Sequence, residues 1–316
     1  MFGFFKKEPD KNGKKDNITV LKKTAPNICG GTDAYIDNTY PKKIKSDKMV
    51  MFDVYSSEYI PMVSMTGAKT EHCPEFTAFA VCAGEFSYIL FSKQSRVNPD
   101  ESKRRWAYTE YDIFSDLTEL VRKYDIAKDN GFHSQTHGLP RNFGGSIVAR
   151  FDDGEKISIS NNQSPIFTST VASAIIAVFE NALKQEKIEL PDVSGIRKIR
   201  FTSERASASV NAELTILDDG TGINVKDSDY GQNGKYHSEK AVDAETVGNI
   251  KKNVENCGMF GWEKLPERHA TLGGENKSLT ITLDDGREIT VPDNRELPFE
   301  ISRGFFNIEL ELVTKN

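Results

Sequence analysis

The heptapeptide FDDGEKI occupies residues 151–157, and its pattern recurs as LDDGTGI at residues 217–223 and LDDGREI at residues 283–289. In each copy an apolar residue precedes Asp-Asp-Gly, and another follows three positions after the glycine. An Asp-Gly pair between two strands favours a two-residue type I′ turn, in which both central residues have positive φ. The pattern therefore predicts three β-hairpins. A fourth is predicted around Ala83-Gly84, between strands at residues 77–81 and 86–91.

The spacing of these hairpins indicates an internal repeat. Successive copies lie 66 residues apart, and helical patterns near residues 115–130 and 244–256 extend the period to about 132 residues, or two hairpins per unit. Each helical segment closes with a glycine, Gly131 or Gly258, as helix ends commonly do. We therefore predict an α+β fold made of two diverged tandem copies of an antiparallel sheet-plus-helix unit.

Local composition predicts the boundaries of the two copies. Residues 1–45 are rich in lysine and poor in apolar residues, which predicts a flexible basic tail. The first copy covers residues 46–190 and ends in an amphipathic helix near residues 168–185. The second covers residues 191–316. It ends in a predicted strand, because Ile308, Leu310 and Leu312 alternate with polar residues.

Composition narrows the class of protein. The chain has 316 residues, of which 37% are hydrophobic, and this is enough apolar material for two cores. The net charge of −6 argues against general binding to nucleic acids or anionic membranes. No stretch is long and apolar enough for a secretory signal or a membrane span. The four cysteines contain no Cys-x-x-Cys pair, so we predict reduced thiols and a cytoplasmic protein.

The first copy carries a resemblance to a known group. Its Gly131-Phe132 turn, Gly144-Gly145, the hairpin at residues 151–154 and the segment from Asn162 to Pro165 resemble uncharacterised bacterial proteins of Gram-positive anaerobes. Those proteins carry a helix, a Gly-Phe turn, an aromatic-Asp-Gly hairpin and an Asn-to-Pro segment. The resemblance implies no activity. The second copy departs from it, with Met259 after the glycine and Leu283 in place of the aromatic residue.

Two histidines form the candidate metal site. His133 and His137 are four residues apart, and on a helix this spacing would place both imidazoles on one side, as a zinc pair requires. They follow the helix-ending Gly131, however, and a third ligand is evident only through a tertiary contact with Cys73. Surface histidines without a metal are the favoured interpretation.

Three neighbouring residues form the candidate contact for nucleic acid or a partner. Arg104, Arg105 and Trp106 combine positive charge with an aromatic ring, as single-strand binding surfaces do. The same residues fit an edge strand protected by charge, which the acidic chain favours. A Cys-His nucleophile built from Cys73, Cys82 or Cys257 has no local support.

The sequence predicts the function only in outline. Sequence motifs for phosphate loops, nucleophile elbows and zinc proteases are absent, and the residues common to both copies are those that shape backbones and fill cores. We therefore expect a non-enzymatic protein without a cofactor that binds a protein or a small molecule. The alternative is a metal-binding protein or enzyme that uses the loop of His133 and His137. The sequence assigns no catalytic residue.

Overall fold

A computed structural model describes seven stretches of the chain: residues 17–25, 29–57, 75–94, 103–139, 143–205, 208–267 and 276–314. These residues form a mixed α+β structure with a nine-stranded and a six-stranded sheet. The predicted α+β class is confirmed. Among the described residues, no helix has the length and apolar character needed to cross a bilayer.

The nine-stranded sheet contains the first nine strands of the described residues, in the order β1-β2-β7-β9-β8-β3-β4-β5-β6. All the pairs that we describe are antiparallel except β7 with β9, where His133 aligns with Ser160 in a parallel pair. The strands are β1 (Ile18–Lys22), β2 (Thr32–Asp37), β3 (Met49–Ser56), β4 (Glu75–Ala83), β5 (Phe86–Gln94), β6 (Lys103–Thr109), β7 (Phe132–Thr136), β8 (Gly145–Phe151) and β9 (Lys156–Asn161).

The six-stranded sheet is antiparallel throughout, in the order β13-β12-β11-β10-β14-β15. Its strands are β10 (Ile196–Arg205), β11 (Ala208–Ile216), β12 (Gly222–Asp229), β13 (Lys235–Val242), β14 (Asn276–Leu283) and β15 (Glu288–Pro292). In β11 the buried residues Ala212, Leu214 and Ile216 alternate with less buried ones, so one face of this strand is buried and the other faces solvent.

The three Asp-Asp-Gly hairpins are present, but their turns differ from the predicted type I′. In the first hairpin Phe151 N donates to Glu155 O at 3.0 Å and Gly154 N donates to Phe151 O at 3.1 Å. The other two hairpins repeat both bonds. Only the glycine of each loop has positive φ, so these are three-residue loops with glycine in the left-handed position. The second aspartate of each loop accepts a hydrogen bond from the main-chain N–H two residues later.

Within the described stretches, four α-helices accompany the sheets: α1 (Ile113–Lys123), α2 (Ser169–Ala182), α3 (Ala244–Asn256) and α4 (Phe299–Glu309). Short 3₁₀-helices follow α1 at Ile126–Asp129 and α3 at Met259–Lys264. The predicted closing strand is wrong. Residues 299–314 form α4 and a π-helical turn, because Ile301, Phe305, Ile308 and Leu312 recur at helical spacing and all four are buried.

The predicted flexible tail is also wrong for part of its length. Ile18–Lys22 form β1 and Thr32–Asp37 form β2, which pairs with β7. Residues 1–16 lie outside the described part of the chain.

The chain divides into two compact units whose segments alternate along the sequence. Of the described residues, those within 1–78, 93–103 and 114–178 form the first unit, and those within 79–92, 104–113 and 179–316 form the second. The second unit therefore includes segments from the part assigned by sequence to the first copy. In its core Trp262 stacks on Phe305 with ring centroids 6.5 Å apart. The first unit buries Phe52, Ile147 and Ile175 completely.

Candidate functional site

A cavity of about 410 Å³ lies in the first unit, lined by residues of strands β2, β7 and β9 and by the segments that follow α1 and precede α2. This volume is within the range of small-molecule sites. Ile36 on β2 aligns with Phe132 on β7, and Ile159 on the next strand, β9, lies beside Phe132. Three neighbouring strands therefore supply one wall of the cavity. The other walls come from Tyr124, Ile126, Lys128, Asp129, Asn161, Pro165, Ile166, Phe167, Thr168, Val171 and Lys42.

The main chain around the cavity is fixed by Asn130 and Gly131. The completely buried Asn130 side chain accepts a hydrogen bond from Ser158 N and donates to Pro41 O and Lys156 O. Gly131 follows with φ +81°, and a Cβ atom there would lie 2.2 Å from Asp37 O. Only glycine fits this position, since it needs both a left-handed conformation and close approach of a neighbouring strand.

The polar groups of the lining carry more positive than negative charge. Lys42 and Lys128 are exposed, and Asp129 is the single carboxylate among the lining residues. The ammonium group of Lys42 donates a hydrogen bond to Asn130 O, which holds its side chain at the cavity. The cavity therefore combines an apolar wall with cationic groups.

The two predicted metal-binding histidines lie on the other side of β7. His133 is on β7 and His137 follows its last residue, and four residues of extended chain span about 13 Å. His133 Nδ1 is 2.9 Å from Ser160 Oγ, whereas His137 Nε2 is 3.0 Å from Asp33 Oδ2. The structure therefore does not bring the two imidazoles to one ion. In the described stretches no group of three His, Cys, Asp or Glu residues can hold a metal, and Cys73 lies outside them.

The His133–Ser160 pair contains one of the contacts that nucleophilic catalysis uses. Asp37 is close enough to raise the pKa of His133, but burial has the larger effect and lowers that pKa below its ordinary value. The Asp37 carboxylate accepts hydrogen bonds from Thr39 N and Thr39 Oγ1, so it is engaged by its own turn. These residues form a half-exposed polar face of the sheet. Tyr35 packs on the His133 imidazole, with the two ring centroids 5.1 Å apart.

Of the three thiols in the described stretches, Cys257 has the opposite of an activated nucleophile's environment. Burial raises the pKa of Cys257, the opposite of the change that produces a reactive thiolate. Cys82 is half-buried and its Sγ lies 3.5 Å from Gly84 O, and Cys29 is exposed.

The predicted nucleic-acid residues lie on β6 in the second unit, where they do not form one surface. Arg104 and Trp106 share a strand face, and Arg105 points to the other face. There its guanidinium lies 5.8 Å from the Phe91 ring centre and 4.0 Å from the Glu180 carboxylate. Trp106 packs against Gly258 and lines a groove of about 560 Å³ with residues 187–193. The arginines are not lining residues of that groove.

Sequence reasoning missed the cavity itself. Its walls join residues from β2, β7 and β9 that are distant in sequence, and no local motif marks them. The one available signal was the run Pro165-Ile166-Phe167, three apolar residues just before α2 that remain half-exposed. No protein-family model matches the chain, and a search of curated proteins found no similar sequence.

Proposed function

We propose that this is a non-enzymatic binding protein whose first unit takes a small molecule with an apolar body and one anionic group. The observation that carries the proposal is the cavity lining, where six apolar residues stay half-exposed: Ile36, Phe132, Pro165, Ile166, Phe167 and Val171. Covering apolar surface contributes about 25 cal/mol per Å². A ligand of matching shape gains this free energy without rearranging the walls.

The charges favour an anionic ligand. Lys42 and Lys128 outnumber Asp129 in the lining, so the net charge of the lining residues attracts an anion. Because both lysines are exposed, salt weakens this attraction over about 8–10 Å. We therefore expect the apolar contact to supply most of the affinity and the lysines to select the sign of the ligand's charge.

The first test blocks the cavity with a bulky side chain and measures the binding of a fluorescent probe. The probe is 8-anilinonaphthalene-1-sulfonate, an aromatic anion whose fluorescence rises in apolar surroundings. Val171→Trp places a large side chain among the lining residues, whereas Ser173→Trp adds the same side chain to the exposed face of the same helix. We expect saturable binding that Val171→Trp abolishes and Ser173→Trp preserves. Equal binding by both variants would exclude this cavity as the site.

The second test separates charge from apolar contact. Lys42→Glu reverses one charge of the lining, and Lys43→Glu makes the same change at the neighbouring exposed residue outside it. We expect Lys42→Glu to weaken the anionic probe about tenfold at low salt. It should leave the neutral probe N-phenyl-1-naphthylamine unchanged. Equal loss of both probes would indicate damage to the fold rather than charge selection.

We also propose that the two sheet-and-helix parts arose from one duplicated unit. The strand order β9-β8-β3-β4-β5-β6 has the same chain connections as β15-β14-β10-β11-β12-β13. In chain order, α1 follows β6 and α3 follows β13, whereas α2 comes after β9 and α4 after β15. The repeated hydrogen bonds of the Asp-Asp-Gly loops support the same proposal.

This comparison supports placing the function in the first part alone. Strands β1, β2 and β7 have no counterpart in the six-stranded order, and β2 and β7 supply Ile36 and Phe132 to the cavity. The first part thus differs from the second at the strands that form the cavity wall. We place this binding protein in the cytoplasm, since its free thiols Cys29, Cys82 and Cys257 are typical of reducing compartments.

A further inference from the structure

A second concave site lies in the second unit, beside the end of helix α3. This groove has a volume of about 560 Å³, within the range of small-molecule sites. Its walls are residues 106–108 of β6, residues 187–193, and four residues at and after the end of α3, namely Val254, Glu255, Gly258 and Phe260. All of them belong to the second unit, so the groove shares no residue with the cavity of the first unit.

The segment 187–193 is held on both sides of the groove. Near its start Ile188 N donates a hydrogen bond to Tyr108 O on β6 at 2.8 Å. Directly after its end, the Lys251 ammonium group on α3 donates to Ser194 O at 3.1 Å. The walls are therefore fixed in the ligand-free chain, and a ligand pays little for ordering them.

The groove has an aromatic and apolar surface. Trp106 is half-buried and packs on Gly258, where a Cβ atom would lie 3.0 Å from the indole ring. Tyr108 packs edge-on against Trp106 with the ring centroids 6.2 Å apart. Indole is the aromatic ring that attracts cations most strongly. The segment 187–193 adds four half-exposed apolar residues: Ile188, Leu190, Pro191 and Val193.

The charged groups of the groove are mainly carboxylates. Glu189, Asp192 and Glu255 are exposed lining residues, whereas the described lining contributes one ammonium group, from Lys187. Lys251 is outside the lining and partly offsets the charge of Asp192. The carboxyl end of α3 adds the partial negative charge of its last carbonyl groups. The groove therefore attracts cations, the opposite preference to that of the cavity in the first unit.

A metal ion does not suit these carboxylates. In the part of the chain that the structure describes, no three His, Cys, Asp or Glu residues are grouped so as to hold one. The three carboxylates are exposed to water and act on a cation through their field. A large organic cation with an apolar surface can contact the indole ring and lie within that field at the same time.

We propose that this groove is a second binding site, for a small organic cation whose positively charged nitrogen is joined to an aromatic body. The aromatic body covers Trp106 and the half-exposed apolar residues, and the nitrogen lies on the side of Glu255 and the end of α3. This site is independent of the anion-binding function proposed for the first unit.

Fluorescence titration with thioflavin T tests the charge preference. This dye is an aromatic cation that brightens when its rings cannot rotate, and its analogue without the N-methyl group is neutral. We expect one thioflavin T per chain. Glu255→Lys should weaken its binding about tenfold and leave binding of the neutral analogue unchanged.

A second residue of α3 supplies the matched control. Glu245→Lys makes the same change in the exposed first turn of the helix, about 15 Å from Glu255. At about 0.1 M salt charges interact over about 10 Å, so this variant should bind both dyes as the unchanged chain does. Equal effects of the two variants on thioflavin T, or the absence of saturable binding by the unchanged chain, would overturn the proposal.

Two further variants locate the dye. Trp106→Leu keeps an apolar side chain but removes the indole, so it should weaken thioflavin T more than the neutral analogue. Val171→Trp, which blocks the cavity of the first unit, should leave thioflavin T binding unchanged. Loss of thioflavin T binding in Val171→Trp would place the dye in the first unit and overturn the proposal.

Discussion

Replacing Gly131 by alanine tests how closely strands β2 and β7 approach beside the cavity. Gly131 O accepts a hydrogen bond from Asp37 N, and Gly131 N donates to Ser158 O, both at 2.9 Å. A Cβ atom would lie 2.2 Å from Asp37 O, which no side-chain rotation relieves because the contact is with main chain. Strand β2 must therefore move in the Gly131→Ala variant.

A matched glycine separates this clash from conformational strain. Gly154 has φ +89°, similar to the +81° of Gly131, but a Cβ atom there meets nothing within 4 Å. Alanine in the left-handed region costs about 1–2 kcal/mol, so Gly154→Ala should destabilise the first unit by that amount. The displaced strand adds about 1–3 kcal/mol in Gly131→Ala, for a total of about 2–5 kcal/mol.

The assay must report on the first unit. Both tryptophans, Trp106 and Trp262, belong to the second unit, so tryptophan fluorescence follows the wrong unit. Native-state hydrogen exchange of the β7 and β9 amides measures the opening free energy directly. If Gly131→Ala lowers this free energy no more than Gly154→Ala does, close approach of Asp37 does not constrain the position.

Three further outcomes are expected. Asn130→Ala should lower the opening free energy of β9 amides by about 2–4 kcal/mol, since it leaves buried main-chain groups without partners; an effect below about 1 kcal/mol would contradict this. In the second unit, Gly248→Ala should stabilise α3 by up to about 1 kcal/mol, because alanine favours the helix and its Cβ meets nothing within 4 Å. Gly261→Ala should destabilise that unit, because its Cβ would lie 2.3 Å from the Tyr108 ring. Urea unfolding followed by tryptophan fluorescence measures both changes. Burial lowers the pKa of His133, so folding favours its neutral form, and the free energy of unfolding should fall as pH drops below about 6.5. His133→Gln should reduce that slope in urea titrations followed by circular dichroism, and an unchanged slope would assign it to other groups.

Local patterns predicted much of the fold. The Asp-Asp-Gly heptapeptides lie at hairpins, and the helix expected at residues 244–256 has those bounds. The turn type was wrong because Asp-Gly fits both a two-residue loop and a three-residue loop, and the choice depends on which main-chain groups pair. Local sequence does not distinguish these pairings.

The chain end shows a second limit. Ile308, Leu310 and Leu312 alternate as in a strand, but Ile308 and Leu312 also continue the helical series that begins at Ile301. Burial against the second unit's core selects the helix, and this is tertiary information. The cavity lay beyond sequence reasoning for the same reason, since Ile36 and Phe132 become neighbours only through strand pairing.

The alternation of the two units along the chain has a consequence for biosynthesis. Residues 79–92 and 104–113 belong to the unit that is completed only by residues 179–316. At about 5–20 residues per second, a ribosome reaches residue 316 roughly 10–40 s after residue 113 is made. During that interval β5 and most of β6 lack the rest of their core. The nascent chain therefore exposes apolar strands to chaperones, and a gene cut at residue 190 would encode a second unit without them.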